Sequence, residues 1–502
     1  MGELMMDRYP HHIDGAWQPA GGDGWLPVED PSTGEVFAEI ANGTEADTDA
    51  AVAAARTAFD TGPWPRLRPE ERRDALLRMA DALAAVADDS LELMIRDTGC
   101  PRRLADMLQV GAPIGHLQEF ADQALLLSSR DLGVQAAPTF GHTEVQRVPM
   151  GVCGGIVPFN FPMLLAIWKL GPALAMGNTM VLKLSPQAPL AATVLARAAE
   201  AAGLPPGVLN VVHGGATVGR RLASHPEVDK ITFTGSTAVG RSLLELAAPT
   251  IKDVTLELGG KSAAIVLDDA DLELAARGSC FAGFMHAGQV CAATTRVLVP
   301  RARMDEFCER FAKRAAAIEV GPADDFATDV GPVISRPQLD QIERRVDEAV
   351  AAGATALVGG HRRPGPGWYY EPTILVDVDN SDPVAREEIF GPVVCVIPYE
   401  GVGEAVRLAN DSPYGLDAVV WAGDLSAARD VAAQLRVGQV WINDFGVAST
   451  NSPFGGFKQS GLGRELGVEG ALSFTDTRAV YTALDAGIDN RPYSIVGLGW
   501  DD

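Results

Sequence analysis

The chain has 502 residues, 47% of them hydrophobic and 21% charged, the balance of a soluble globular protein and enough length for about two or three domains. Its formal net charge of −25 argues against a nucleic-acid binder, which needs a basic face. Six cysteines with no C-x-x-C pair, and eight histidines with no metal-ligand spacing, argue against a disulfide scaffold or a metal site and point to a reducing, cytoplasmic setting.

The first eight residues carry acidic side chains where a signal peptide needs an apolar core. Residues 10–40 mix short apolar pieces with Gly, Pro and Asp, which suits an opening strand and turns. Helical spacing follows over 45–59 and 69–97, with Pro69 as a helix-starting proline and Gly99 as the stop. Residues 125–149 lose that period, and two extended runs flank 137–142, predicting a projecting hairpin able to pair with another subunit. The most apolar segment, 162–177, is interrupted by Lys169 and by structure-breaking residues, so no membrane span is expected.

From Gly151 onward strands and helices alternate. Strands are predicted at 152–157, 180–184, 208–212, 230–234 and 254–258, with helices such as 188–202 and 237–246 between them. That alternation predicts a parallel sheet covered on both faces, with ligands at the carboxyl ends of its strands. A second series, at 263–267, 296–300, 393–398, 418–421 and 439–443, predicts a second α/β domain. Residues 479–502 read as a turn-rich segment wrapping the surface or a neighbour.

Several stretches carry chemistry. Cys291 stands in a run of small residues two places after Gly288-Gln289; a thiol there is either a small buried hydrophobe or a nucleophile activated by backbone N–H groups or positive charge. Asn160, held between Phe159 and Phe161 after a strand, is either a turn residue or a donor to a developing oxyanion. Lys183 ends an apolar strand, where its charge either reaches water or meets a ligand. Gly235, Ser236 and Gly240 close a strand and open a helix, a setting for pyrophosphate. Arg241 replaces the lysine that a P-loop requires, which argues against an ATPase. Glu257 lies inside an apolar strand just before Gly259-Gly260, either paired to Lys261 or Lys252 or tuned by burial into a general base. Glu388 and Asn443 are polar residues in similarly apolar settings, and 453–465 is a Gly-rich loop in which Phe454 suits a pocket wall.

Taken in chain order, from Pro158–Pro162 through Lys183, Gly235–Gly240, Glu257–Lys261, Gly288–Cys291 and Glu388–Pro392 to Pro453–Glu465, these motifs resemble the NAD(P)-dependent aldehyde dehydrogenase superfamily over nearly the whole length. The resemblance implies a Rossmann-type parallel-sheet cofactor domain (1–124 and 148–257), a second α/β catalytic domain (258–470), a β-hairpin oligomerisation element (125–147 and 471–490) and a tail (491–502). It implies Cys291 as nucleophile, Asn160 and the Cys291 N–H as oxyanion donors, and Glu257 as the base that activates water on a thioester. The cofactor contacts it implies are Ile156, Phe159, Lys183, Ser185, Gly235, Ser236, Gly240, Gly259, Glu388 and Phe390, with Phe161, Trp168 and Phe454 lining a substrate tunnel for a small aldehyde. A homodimer or homotetramer is implied, and no metal. Two departures stand out. His286 occupies a position where the family often has asparagine, and a packed, neutral ring is expected. Pro186 stands where many NAD-preferring members carry a ribose-holding glutamate, so NAD is expected with NADP possible. A CoA-acylating semialdehyde dehydrogenase and a non-catalytic relative are the alternatives; retention of Cys291, Glu257 and Asn160 together favours hydrolytic oxidation.

Overall fold

The computed structural model describes residues 7–22, 24–127, 129–136, 140–446, 448–484, 491 and 493. At its centre an eight-stranded sheet carries five parallel strands in the spatial order Asp253–Glu257, Lys230–Thr234, Val152–Val157, Thr179–Leu184 and Leu209–Val211. Antiparallel edges close it, with Gly461–Leu462 on one side and His11–Ile13 followed by Ala16–Gln18 on the other. Every residue of Val152–Val157 and Thr179–Leu184 is buried, as expected for parallel strands covered on both faces.

Strand order reverses beside Val152–Val157: the next two strands add on one side, and Lys230–Thr234 then returns to the other. Such a switch opens a crevice at the carboxyl ends of the flanking strands. The residues that follow these two strands are Pro158–Asn160 and Gly235–Ser236, so the topology alone brings Asn160 and the glycine turn together.

A seven-stranded sheet forms the second unit, ordered Thr355–Val358, Thr373–Val376, Val393–Tyr399, Arg296–Pro300, Ala263–Val266, Asp417–Trp421 and Gln439–Ile442, all parallel except the first. The chain crosses from the first sheet to the second between Glu257 and Ala263. Glu257 therefore ends a strand of one sheet, while Asp417 and Gln439 begin strands of the other.

Some local expectations are corrected. The periodic stretch 69–97 is two helices, Pro69–Ala84 and Ala87–Thr98, separated where Val86 adopts φ −119°, ψ 23°. Gly99 does stop the second helix, in the left-handed conformation with its N–H donating to Ile95 O. Residues 479–483 are not turn-rich. They belong to the strand Thr475–Ala483, which pairs antiparallel with Gly141–Pro149 from Thr475↔Pro149 to Ala483↔Gly141, with Arg130–Gln135 completing a three-stranded sheet. The turn residues 137–139 and most of the predicted tail 491–502 lie outside the described residues. Among the described residues no helix is long and apolar enough to cross a membrane.

Candidate active site

Cys291 sits on a tight coil after the helix Leu272–Phe284. His286, Ala287 and Gly288 are all left-handed, with φ of 51°, 54° and 69°. At Gly288 a Cβ would also overlap the Gly391 carbonyl, so conformation and space both select glycine. Gly288→Ala is expected to lower stability by roughly 1–3 kcal/mol, read as a shift of the urea-unfolding midpoint. Gln289 holds the coil in place: its Oε1 accepts from Ile334 N–H at 2.9 Å and its Nε2 donates to His286 O at 3.2 Å. His286 is buried with its ring centroid 5.1 Å from that of Phe161, and burial pulls its pKa down to about 4, so the ring is neutral and packed.

Asn160 reaches this coil from the switch-point crevice. Its Nδ2 donates to Gln289 O at 2.8 Å, which uses one amide hydrogen and leaves the other for a ligand. Its own carbonyl accepts from Gln109 Nε2 at 2.8 Å. Gln109 belongs to the π-helical turn Asp106–Gly111, a bulge that turns a buried amide toward the site.

The two glycines of the sheet-to-sheet crossing are required by their neighbours. A Cβ on Gly259 would overlap the Glu388 carboxylate, and one on Gly260 would overlap the Cys291 carbonyl. Glu388 Oε1 accepts from Gly260 N–H at 3.0 Å; burial nonetheless raises this carboxyl to about 7. Among the described residues, no cation is a leading influence on Cys291. Burial first, then Glu388 and Glu257, push the thiol well above its ordinary value, and the Ala292 N–H offsets part of this. Of the two settings the sequence leaves open for Cys291, burial is the one seen, with the thiol's pKa raised.

Glu257 pairs with neither lysine expected for it. Lys252 Nζ donates to the Val228 carbonyl at 3.1 Å and also to the His225 carbonyl, and Lys261 Nζ has no partner among the described residues. Both Glu257 oxygens are buried without a side-chain partner, and the Gly456 N–H approaches the carboxyl without completing a well-formed hydrogen bond. Burial raises its pKa well above the usual value and Glu465 adds to the rise, while Lys169 pulls the other way. Lys169 and Glu465 form a buried ion pair at 2.5 Å, with Thr234 Oγ1 accepting from the lysine at 2.7 Å and Thr232 Oγ1 donating to the glutamate at 3.1 Å.

Two cavities meet at Cys291. One is walled by Phe161, Trp168 and Phe454 and also touches Glu257, Asn160 and Thr234. The other is lined by Phe159, Gly235, Ser236, Gly259, Glu388 and Phe390, and again by Asn160, Thr234 and Cys291. Phe159 and Phe390 meet edge to face at 5.7 Å. Trp168 is cavity wall as well as core: its Nε1 donates to His116 Nδ1 at 2.9 Å and its ring packs on Phe454 at 5.4 Å.

Ile156, Lys183, Ser185 and Gly240 lie outside both cavity walls. Ile156 and Lys183 are register partners on adjacent strands, and Ser185 N–H donates to Val157 O beside them at 2.9 Å. Lys183 is buried with no ion-pair or hydrogen-bond partner among the described residues, and burial lowers it to about 8. Ser236 caps the helix Thr237–Ala247, and a Cβ on Gly235 would meet the Phe233 ring, so backbone N–H groups at a helix start face the second cavity. Asn443 is structural: its amide exchanges two 2.8 Å hydrogen bonds with the backbone of Ala422.

Sequence reading missed Thr234, Gln109, Asp417, Gln439 and the Lys169–Glu465 pair as parts of the site. Only Lys169 left a usable signal, because a lysine in the wholly buried helix Pro162–Ala175 demands a partner.

Residues 17–480 match the aldehyde dehydrogenase family. A mitochondrial aldehyde dehydrogenase of Leishmania tarentolae is 41% identical over 475 residues, 94% of each chain. Geranial dehydrogenase of Castellaniella defragrans is 40% identical over 478 residues, 95% of this chain and 99% of that one. The NAD+ complex of an aldehyde dehydrogenase from Bacillus cereus superposes with a TM-score of 0.93 at 35% identity, covering 95% of this chain and 97% of the other. The chain belongs to the aldehyde dehydrogenase family, whose members oxidise aldehydes to acids with NAD(P).

Proposed function

We propose that the cavity walled by Phe161, Trp168 and Phe454 takes an aldehyde, that the cavity lined by Glu388, Phe390 and Ser236 takes the nicotinamide half of the cofactor, and that Cys291 is the nucleophile between them. The observation that carries this reading is that both cavities open on Cys291, Asn160 and Thr234. NAD(P), when bound in this cleft, supplies the acceptor for the hydride that leaves the substrate carbon.

Cys291 Sγ loses its proton to solvent water, and the thiolate bonds to the aldehyde carbon as the carbonyl electron pair moves onto oxygen. The oxygen then takes the negative charge and meets the free Asn160 amide hydrogen together with the Cys291 N–H. After hydride loss the carbon is a thioester on Cys291. Glu257 takes a proton from water, the hydroxide adds to the thioester carbon, and the acid departs as the thiol is restored. An unpaired, raised-pKa carboxyl on the same cavity suits that base and favours water over CoA as acyl acceptor. Lys183 and Glu388 are assigned to the ribose hydroxyls. Ile156, Phe159, Ser185, Gly235, Gly240, Gly259 and Phe390 are assigned to shaping the cofactor groove. NAD is the expected cofactor. NADP is expected to be accepted too, since Pro186 brings no carboxylate and Lys183 remains unpaired.

The test is growth of the reduced-nicotinamide absorbance with a medium-chain aldehyde and either cofactor, without CoA. Many turnovers that vanish in Cys291→Ala support the proposal. Turnover that requires CoA, or that survives in Cys291→Ala, overturns it. Asn160→Ala is expected to lower kcat by roughly 10²–10³-fold, measured at saturating substrate.

The three-stranded sheet exposes the strand Arg130–Gln135 along its whole length, with Leu132 and Val134 outward. We assign this edge to a homodimer or homotetramer contact, to be checked by light scattering on the purified protein. All six cysteines are free, which suits a reducing compartment such as the cytoplasm.

A further inference from the structure

The cavity in front of Cys291 has a polar corner that the proposed chemistry leaves unused. Its walls are largely apolar, yet Asp417 and Gln439 also face it. They are register partners, Asp417↔Gln439, at the start of adjacent parallel strands, and partners in register project to the same face of a sheet. Asp417 is 2% exposed and held rigidly: its Oδ1 accepts from Ala418 N–H at 2.7 Å and its Oδ2 from the Trp441 indole N–H at 3.1 Å. The Gln439 side-chain amide has no hydrogen-bond partner among the described residues.

The corner lies close to the thiol: Asp417, Gln439 and Cys291 line the same cavity, and Leu416, the neighbour of Asp417, and the Cys291 carbonyl both border the space a Cβ on Gly260 would fill. Burial raises the Asp417 carboxyl to about 8, so at neutral pH it is a carboxylic acid with an O–H to donate. Gln439 offers both a donor and an acceptor. A hydroxyl group, itself donor and acceptor, complements such a pair, whereas a bare methyl group leaves both unsatisfied. An anionic group finds no cation on this cavity wall among the described residues, and the buried Lys169 is committed to Glu465.

Resting on the assignment of this cavity to the aldehyde, we infer that Asp417 and Gln439 select substrates, and that the preferred ones are uncharged aldehydes bearing a hydroxyl group on an apolar body. Phe161, Trp168 and Phe454 then enclose the body, and the hydroxyl sits against the Asp417–Gln439 corner while the carbonyl faces Cys291.

The experiment compares kcat/KM for hydroxybenzaldehydes and hydroxyalkanals with that for the counterpart in which methyl replaces hydroxyl. The proteins are the wild type, Gln439→Leu and the nearly isosteric Gln439→Met, the second guarding against a folding defect in the first. In the wild type at least one hydroxylated member is expected to lead its methyl counterpart by roughly tenfold, the scale of one or two neutral hydrogen bonds. That ratio should fall to near one in the Gln439 variants. Binding to Cys291→Ala, followed by tryptophan fluorescence with no turnover, should show the same preference. Ratios near one for every pair in the wild type, with the methyl aldehydes still oxidised, overturn the inference and leave the cavity assignment standing. A preference that persists in both Gln439 variants overturns it as well. Absence of both turnover and binding for every aldehyde overturns the cavity assignment, and this inference with it.

Discussion

Replacing Glu257 with glutamine is expected to leave a first burst of reduced cofactor, about one per active site, and to cut the steady rate by roughly 10²–10⁴-fold. The burst survives because attack and hydride loss use Cys291 and Asn160. The steady rate falls because glutamine cannot take the proton of the water that cleaves the thioester. Rapid mixing with an aldehyde, followed at the reduced-nicotinamide band, separates the two phases. The direction of the Glu257 shift adds a pH signature. Burial and Glu465 hold its pKa well above the ordinary carboxylate value, and a base works only when deprotonated. The wild-type steady rate should therefore rise with pH until Glu257 has lost its proton, and the residual rate of Glu257→Gln should lack that limb. A variant whose burst is slowed as much as its steady rate would move Glu257 to the attack step instead.

Lys169→Met is expected to cost about 3–5 kcal/mol of stability, because it strands the Glu465 carboxylate in the core. Both partners are nearly solvent-free, and Glu465 Oε2 already has no hydrogen bond. The double variant Lys169→Met, Glu465→Leu should recover most of that loss, since removing both charges removes the desolvation penalty along with the attraction. Denaturant midpoints of the two single variants and the double variant test this as a cycle. A double variant as unstable as Lys169→Met alone would show that packing, not charge, is lost. A second effect follows on catalysis. Lys169 lowers the Glu257 pKa, so its removal should shift the limb of the pH–rate profile to higher pH.

Much of the fold was legible because its signals are local. The apolar strands at 152–157, 230–234 and 296–300 appear at those positions in the structure. The glycines at 259, 260 and 288 could be singled out, yet the reason for each appears only with its neighbour: the Glu388 carboxylate, the Cys291 carbonyl and the Gly391 carbonyl. Asn443 shows the opposite failure. A polar residue in an apolar stretch looked chemical, and the structure spends it on the backbone of Ala422.

What the sequence by itself determined is the alternation of strands and helices, whose spacing follows from strand and helix geometry, and, through the resemblance its motifs carry, the family. Only the tertiary structure decided which groups share an environment. Lys169 and Glu465 are 296 residues apart, and Gln109 reaches Asn160 across 51. It also decided the sign of the shift at Cys291. Desolvation and the charge of distant residues set a pKa, and neither is a property of the residues that flank the thiol. The local run around Cys291 singles it out as the candidate nucleophile; burial first, and then the carboxyls of Glu388 and Glu257 brought in by folding, raise its pKa.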